Sequence, residues 1–592
     1  MCGINGFTFC DKELIEKMRV FTERRGPDAN GIFLSEDITI SHDRLSIIDL
    51  SKNANQPMER NNLVLSFNGE IYNYKELKKE LEEDGYNFKT NSDSEVILLL
   101  FLKYNIESFK KLKGIFSISI WDKILKKLYL IRDIVGVKPL YYFNDKNNLF
   151  FSSSIRSLLI SQKNRKINSN AFMSYANFGR NDLKETIFKN IYKVRPGELL
   201  IKTKNNLTSQ KLLNFDLSEK KFNNEEISFK IKKQIKNQLL SDVPIGLSLS
   251  GGVDSNVIYS VMREKFNNKF NIYSFYFDDY EKFNEDFNVA KENANFFGNN
   301  FIPINIGYND FIENSEKVVE ILEEPSGNQC SILNYSMSKK IEEKILVTGD
   351  GGDETFTGYD RYRSIYIIQQ LQKFNFLKKL KLNFKKKNLN RLFMTNPKDL
   401  FLSFSEQNLH KNASLYYKNF SYIQEDEISL NHAKNYNLEN RLNSISLLDL
   451  DTIVPNEYLL RNDKIFANEG IEVRVPLLDE NIINNFLNIS EHKKFGYKFQ
   501  SKSLLKKLFK KEIYSLTKKK WGMQSPYGKW MKNVLQKFIK EILSQEYYYN
   551  SKNYFNFNEI HKLIKTHQTN YQNPDIIWSL IMMQIFLRKF NL

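Results

Sequence analysis

The sequence predicts a multidomain α/β protein: a β-rich, antiparallel N-terminal region, then a parallel-sheet α/β domain with a helical C-terminal part. Three observations carry this. Up to residue 152, short apolar runs alternate with turn-prone stretches such as Asn144-Asp145-Lys146-Asn147-Asn148. Beyond residue 226, strand-like and helix-like segments alternate, which calls for a parallel sheet with helices on its faces. From Tyr359 onward the pattern is predominantly helical.

In the first region, 74–83 places Leu77 and Leu81 on one face among Lys and Glu, and Gly85 supplies a stop. Ser92 with Glu95 three residues later predicts a capping box opening an apolar helix over 95–104. Strands are expected at 115–121, 128–132, 140–143 and 149–152, as an antiparallel meander. The polar, aperiodic stretch 206–226 reads as a linker, dividing the chain into 1–205 and 227–592. Past it come strand 245–249, helix 253–265, strand 272–277, helix 285–297, strand 301–306, helix 311–322 and strand 345–348.

Composition narrows the function classes. A hydrophobic fraction of 41% supports sizeable cores and excludes a disordered chain. Three cysteines, Cys2, Cys10 and Cys330, have no paired spacing, so neither a disulfide framework nor a zinc site is indicated. A reducing cytoplasm is expected. Asp11, Glu13, Glu16 and Lys17 break any apolar leader, and the strongest apolar run, 96–102, is too short to span a bilayer. The net charge is +17, but Lys recurs in every region, so general bias explains it better than a nucleic-acid surface. The densest basic cluster, from Lys378 to Arg391, reads as a solvated surface.

The opening Met1-Cys2-Gly3-Ile4 carries the first chemistry. With Met1 trimmed, Cys2 holds both a thiol and a free α-amine, and the amine can serve as its general base. A second signal is Ser250-Gly251-Gly252-Val253-Asp254-Ser255, between a predicted strand and helix. Gly251 and Gly252 let backbone approach phosphate oxygens, the helix start supplies N–H donors, and Ser250 and Ser255 add hydroxyls. Asp254 repels a bare phosphate, so it calls for a cation, and Mg²⁺ bridging carboxylate and pyrophosphate fits. No Lys follows as in γ-phosphate-cleaving loops. A third signal, Gly349-Asp350-Gly351-Gly352-Asp353-Glu354, follows another strand and falls beside the first loop in an open sheet. Its carboxylates read as metal ligands and acid–base groups.

Together with Arg25-Gly26-Pro27-Asp28, Arg44-Leu45-Ser46-Ile47-Ile48-Asp49, Asn68-Gly69-Glu70-Ile71-Tyr72-Asn73, Ser92-Asp93-Ser94-Glu95, the segment 133–140 and the segment 472–479, these motifs resemble the glutamine-hydrolysing asparagine synthetases from residue 2 to about residue 530. The phosphate loop resembles that of the ATP pyrophosphatases. The resemblance implies an αββα N-terminal-nucleophile sandwich followed by an ATP-pyrophosphatase-type domain. Cys2 would attack the glutamine amide, with the Asn68 side chain and Gly69 N–H as oxyanion donors. Arg44 would grip the glutamine carboxylate, Glu70 and Asp93 its ammonium, and Ile48 would complete the pocket. Leu249, Phe275, Thr348 and Gly349 would contact ATP alongside the phosphate loop, and Asp254 and Asp353 would bind Mg²⁺. Asp350 stands where some relatives carry a Glu base, and Lys502 aligns with a charge-stabilising lysine. The products would be asparagine, glutamate, AMP and pyrophosphate, with ammonia passing through an internal apolar passage.

Plainer readings stand beside these: Asn68-Gly69 as a hairpin turn, Asp93 as a helix-start acid, Lys502 as a chance match in a Lys-rich chain. Another carboxylate acceptor, such as a sugar uronic acid, keeps the same chemistry. A homodimer is compatible with the resemblance, and a nucleic-acid partner is not favoured.

Overall fold

Side chains that alternate strictly along each strand build the N-terminal half as four layers. In the computed structural model, which describes residues 1–592 apart from 146, 163–164, 217–222, 373–412, 419–440, 497–499 and 518–524, this half contains twelve strands. They are β1 (Gly3–Phe7), β2 (Ala29–Leu34), β3 (Thr39–Arg44), β4 (Met58–Arg60), β5 (Leu63–Ile71), β6 (Gly114–Asp122), β7 (Lys127–Arg132), β8 (Tyr141–Asp145), β9 (Asn148–Ser152), β10 (Tyr192–Lys193), β11 (Glu198–Lys202) and β12 (Leu207–Lys211). They form two antiparallel sheets, ordered β10-β8-β9-β1-β3-β2 and β12-β11-β7-β6-β5-β4.

Ile4, Leu149 and Phe151 from the first sheet meet Val64, Leu128 and Leu130 from the second, sealing the space between sheets. Phe7 and Phe150 face outward onto helices Lys12–Arg19 and Ile155–Leu159. Phe67, Ile118 and Ile131 face the opposite way onto Tyr74–Glu83 and Asp93–Tyr104. The expected αββα sandwich is therefore present.

Two local expectations are corrected. The four strands from β6 to β9 are not one meander: β6 and β7 pair in one sheet, β8 and β9 in the other. The chain crosses between sheets because Asp133 accepts hydrogen bonds from the N–H groups of Val135, Gly136, Val137 and Lys138 at 2.7–3.2 Å. Arg132 meanwhile donates to the carbonyls of Gly136, Lys138 and Val194. Those side chains satisfy a buried crossover that backbone pairing could not. The capping box is also incomplete. Ser92 Oγ accepts from Ser94 N–H at 3.1 Å, but Glu95 turns away to Lys89 N–H, Thr90 N–H and Arg60.

The segment 206–226 begins with edge strand β12 and ends in the first turn of helix Asn224–Gln238. After it comes a wholly parallel sheet, β13 (Ile245–Ser248), β14 (Asn271–Tyr276), β15 (Asn300–Asn305), β16 (Ile345–Val347) and β17 (Glu472–Arg474), ordered β15-β14-β13-β16-β17. The strand order reverses between β13 and β16, the crevice where ligands of open α/β sheets bind. Within this sheet β17 has no counterpart among the predicted strands, because charged Glu472 and Arg474 flank a single apolar Val473. The rest of the C-terminal part is helical, including Leu459–Ala467, Phe557–Asn570 and Pro574–Phe590. Among the described residues, no helix is long and apolar enough to cross a membrane. The basic cluster from Lys378 to Arg391 lies outside the described residues.

Candidate active site

Cys2 precedes β1 and meets β5 through Asn68, whose Oδ1 accepts the Cys2 N–H at 3.0 Å. The other half of that amide, Asn68 Nδ2, is buried with no hydrogen-bond partner among the described residues. A buried donor left unmatched beside a nucleophile is what an oxyanion requires. Asn68 and Gly69 lie within β5 opposite Ser117 and Phe116, so they are not a hairpin turn. Gly69 has φ 147°, and a Cβ there would collide with the Ile115 carbonyl, so only glycine fits. Burial raises the Cys2 thiol above its ordinary value, which makes a base necessary for attack. Met1 is buried, and burial lowers its amine to about 5.

Arg44, at the end of β3, donates to the carbonyls of Ile48, Asp49 and Ser51 and to Asn55 Oδ1 at 2.5–3.2 Å. All four acceptors are neutral, and among the described residues no carboxylate pairs with it. The guanidinium thus shapes the loop after β3, Ile48 included, while its charge stays available to an anion. Opposite in sign are Glu70 and Asp93. Burial, with Glu472 and Asp93 nearby, holds Glu70 well above the ordinary carboxylate range against the pull of Arg474. Asp93 begins helix Asp93–Tyr104 and accepts Ile71 N–H at 3.0 Å, and burial pushes it up to about 6. Glu70 Oε2 has no hydrogen-bond partner among the described residues. An ammonium placed between them would favour both ionised forms.

In the second half, Ser250–Ser255 is a closed turn. Ser250 Oγ and Ser255 Oγ lie 3.0 Å apart, and Gly252 N–H donates to Ser250 Oγ at 3.2 Å. Asn256, which sequence reasoning missed, clamps it by donating to the carbonyls of Ser250 and Gly252 at 3.0 and 2.8 Å. Helix Val253–Phe266 starts at Gly252 with no side-chain cap, leaving its first N–H groups for a ligand. A Cβ on Gly349 would stand 3.0 Å from Ser255 N, which puts the loop after β16 directly against the loop after β13. Leu249 and Thr348 are buried beneath them, and Phe275 is half-buried on β14.

Asp254 and Asp353 converge on one point, which the Lys502 ammonium occupies: it pairs with Asp254 and lies 2.5 Å from Asp353 Oδ1. A Cβ on Gly352 would sit 2.6 Å from Asp254 Cγ, so glycine keeps that point open. Burial opposes the charge on Lys502, yet the two aspartates hold it well above its ordinary value. A cation standing between two hard oxygen donors shows that these residues suit Mg²⁺, which commonly takes one or two carboxylates and completes its shell with phosphates and water. Among the described residues no cluster of three or more metal-binding side chains exists. Asp350 is held by Thr348 Oγ1 at 2.7 Å and Asn462 Nδ2 at 2.8 Å. Glu354, buried beside Asp353, is pushed up to about 8 by burial.

Between the two sites lies a buried charged lattice. Arg25 donates to the Cys2 carbonyl at 3.0 Å and pairs with Asp463 at 2.7 Å. Lys138, fully buried, lies 3.3 Å from Glu472, which also pairs with Arg474 at 2.9 Å, and Arg474 approaches Glu70 at 3.7 Å. Arg25, Lys138, Glu472 and Arg474 sit in motifs quoted above without roles, Asp463 in none, and each has a partner from the opposite half of the chain, which sequence reading cannot see. Beside the lattice a cavity, lined by Tyr72, Ile115, Phe116, Val137, Val475 and Leu478 among others, lies between β6 and the turn after β17.

Residues 1–213 match the glutamine amidotransferase domain family, and residues 226–588 match the asparagine synthase family. The two matched domains on this fold define a glutamine-hydrolysing carbon–nitrogen ligase. Asparagine synthetase [glutamine-hydrolyzing] 1 of Bacillus subtilis (strain 168) is 29% identical, the match covering 99% of this chain and 96% of that protein. A putative asparagine synthetase [glutamine-hydrolyzing] 2 of Methanocaldococcus jannaschii is 32% identical over 63% of this chain and 79% of its own length. Asparagine synthetase B [glutamine-hydrolyzing] of Escherichia coli (strain K12) is 28% identical, over 61% and 65%. The chain belongs to the asparagine synthase family.

Proposed function

We propose that this chain is a cytoplasmic, glutamine-dependent asparagine synthetase. Cys2, freed of Met1, attacks the side-chain amide of glutamine, its own α-amine taking the thiol proton. The buried Asn68 Nδ2 meets the oxyanion, and Gly69 N–H is its second donor. Arg44 receives the glutamine α-carboxylate, Ile48 lines the pocket, and Glu70 and Asp93 receive the ammonium.

In the second half, the Ser250–Ser255 loop and the start of helix Val253–Phe266 hold the ATP phosphates, with Leu249, Phe275, Thr348 and Gly349 around the nucleotide. The aspartate side-chain carboxylate attacks the α-phosphorus, expelling pyrophosphate and leaving an acyl adenylate. Asp254 and Asp353 would hold Mg²⁺, which when bound neutralises phosphate charge. Lys502, released from those carboxylates, would be free to turn to the phosphates. Ammonia then displaces AMP, and Asp350 accepts the proton that the attacking nitrogen loses. The cavity lined by Phe116, opposite Gly69, and by Leu478, beside Gly351, is the stretch of the ammonia passage that this reading calls for.

The observation that carries this reading is the divided Asn68 amide, one end on Cys2 and the other unmatched. Cys2→Ala tests it. Glutamine-driven AMP and asparagine formation should vanish while ammonia-driven formation survives, and loss of both would overturn the two-site scheme.

A further inference from the structure

Arg461 is a buried guanidinium, about 5% exposed, whose Nε and Nη1 have no hydrogen-bond partner among the described residues. No carboxylate pairs with it among those residues either. An unmatched buried cation is costly unless a ligand completes it.

Glu457 stands four positions before it. Opposite charges at that spacing on a helix are close enough to pair. Here they do not, because a π-helical turn, Val454–Tyr458, precedes helix Leu459–Ala467 and shifts their phase. Glu457 is drawn instead to Asn328 and to Arg180, 3.7 Å away. Glu457 and Arg461 both line one pocket, closed by Glu324, Ser326 and Asn181.

That pocket adjoins the reacting centre. Asn462, the residue after Arg461, is the one that holds Asp350. Arg461, Glu457 and Asp350 all act on the thiol of Cys330, which burial pushes up to about 11.

We infer that Arg461 and Glu457 form a clamp for a zwitterionic acceptor, Arg461 taking an α-carboxylate and Glu457 an α-ammonium. The clamp selects amino-acid acceptors over sugar acids, which bring no ammonium. This rests on the amidation reading above and adds the residues that hold the α-carboxylate and α-ammonium of its acceptor.

The experiment compares the KM and kcat of AMP release for aspartate, for β-alanine, which lacks the α-carboxylate, and for succinate, which lacks the amine. Wild-type enzyme should prefer aspartate over each analogue by about 100-fold, since β-alanine leaves the buried Arg461 unmatched and succinate brings no ammonium to Glu457. Arg461→Ala should erase the preference over β-alanine and keep that over succinate. Glu457→Gln should do the reverse, and Arg461→Lys should restore part of the first preference. In each variant the KM for ATP and the melting temperature should stay near wild type.

A merely structural role would lower both preferences together. That outcome, or variants that keep the wild-type ratios, overturns the clamp while leaving the amidation reading intact. Wild-type enzyme that releases no AMP with aspartate overturns both.

Discussion

The two catalytic halves hold their charges in opposite ways. Around Cys2, Arg44 is tied only to neutral oxygens, and Glu70 and Asp93 are pushed toward the protonated state by burial. That pocket leaves Arg44 without a carboxylate among the described residues, and holds its two acids with only Arg474, 3.7 Å from Glu70, in partial balance. At the second site, Asp254 and Asp353 already clamp Lys502, so the charges there are engaged with one another before any ligand enters. On the proposed function, a small zwitterion meets charges already set out for it, and a nucleotide meets charges that must be rearranged.

The largest effect should come from breaking the rearranging half. Asp254→Asn removes a carboxylate from the converging pair. AMP release should fall by about 10³-fold with glutamine or ammonia as nitrogen source, while glutamine hydrolysis measured alone continues. Equal loss of both activities would mean the halves are not separable. The matching change in the other half, Asn68→Ala, removes the unmatched donor and should lower the kcat of glutamine hydrolysis by about 10²–10³-fold. Ammonia-dependent AMP release should hold. An Asn68→Ala enzyme that keeps its kcat but loses KM would make Asn68 a binding group and not an oxyanion donor.

How much of this contrast was legible in the chain follows from the same physics. Strands such as β7 and β9 announce themselves as short apolar runs bounded by turn-prone residues, and the phosphate loop through its glycines. Glutamine-site residues were named through resemblance, since Arg44 and Asp93 have nothing local to mark them. Asn256 and Asn462 went unseen because an asparagine signals nothing until its partner is known. The lattice of Arg25, Lys138, Asp463, Glu472 and Arg474 is hidden for a stronger reason: each charge is balanced across the domain boundary, 334 positions away for Lys138 and Glu472. The crossover at Asp133 misled the meander reading because two side chains there replace backbone pairing.

The lattice tests whether the halves are mechanically one. Lys138→Met strips a buried cation from Glu472 and Asp463, and breaking a buried ionic group costs about 3–5 kcal/mol. Chemical denaturation should show that loss, and calorimetry should split one transition into two if the lattice is what joins the domains. Lys138→Met with Glu472→Gln should recover part of the stability, because the orphaned carboxylate is gone. No recovery would mean Lys138 acts through packing.

The smallest effect is a pH dependence confined to the glutamine side. Asp93 is raised by burial from 3.8 to about 6, so it gains its charge between pH 5 and pH 7. On the proposed function that charge holds the glutamine ammonium, and kcat/KM for glutamine should fall about tenfold as pH drops from 7 to 5. Stability runs the other way. Between 3.8 and about 6 the folded chain binds more protons at Asp93 than the unfolded chain, so this group's contribution weakens as pH rises through that window. Glutamine reverses the trend by supplying the counter-charge, and its thermal shift should therefore grow as pH rises from 5 to 7. Asp93→Asn should flatten both profiles. A glutamine shift that is constant with pH would show that Asp93 is only the acid at a helix start, and that the ammonium is held elsewhere.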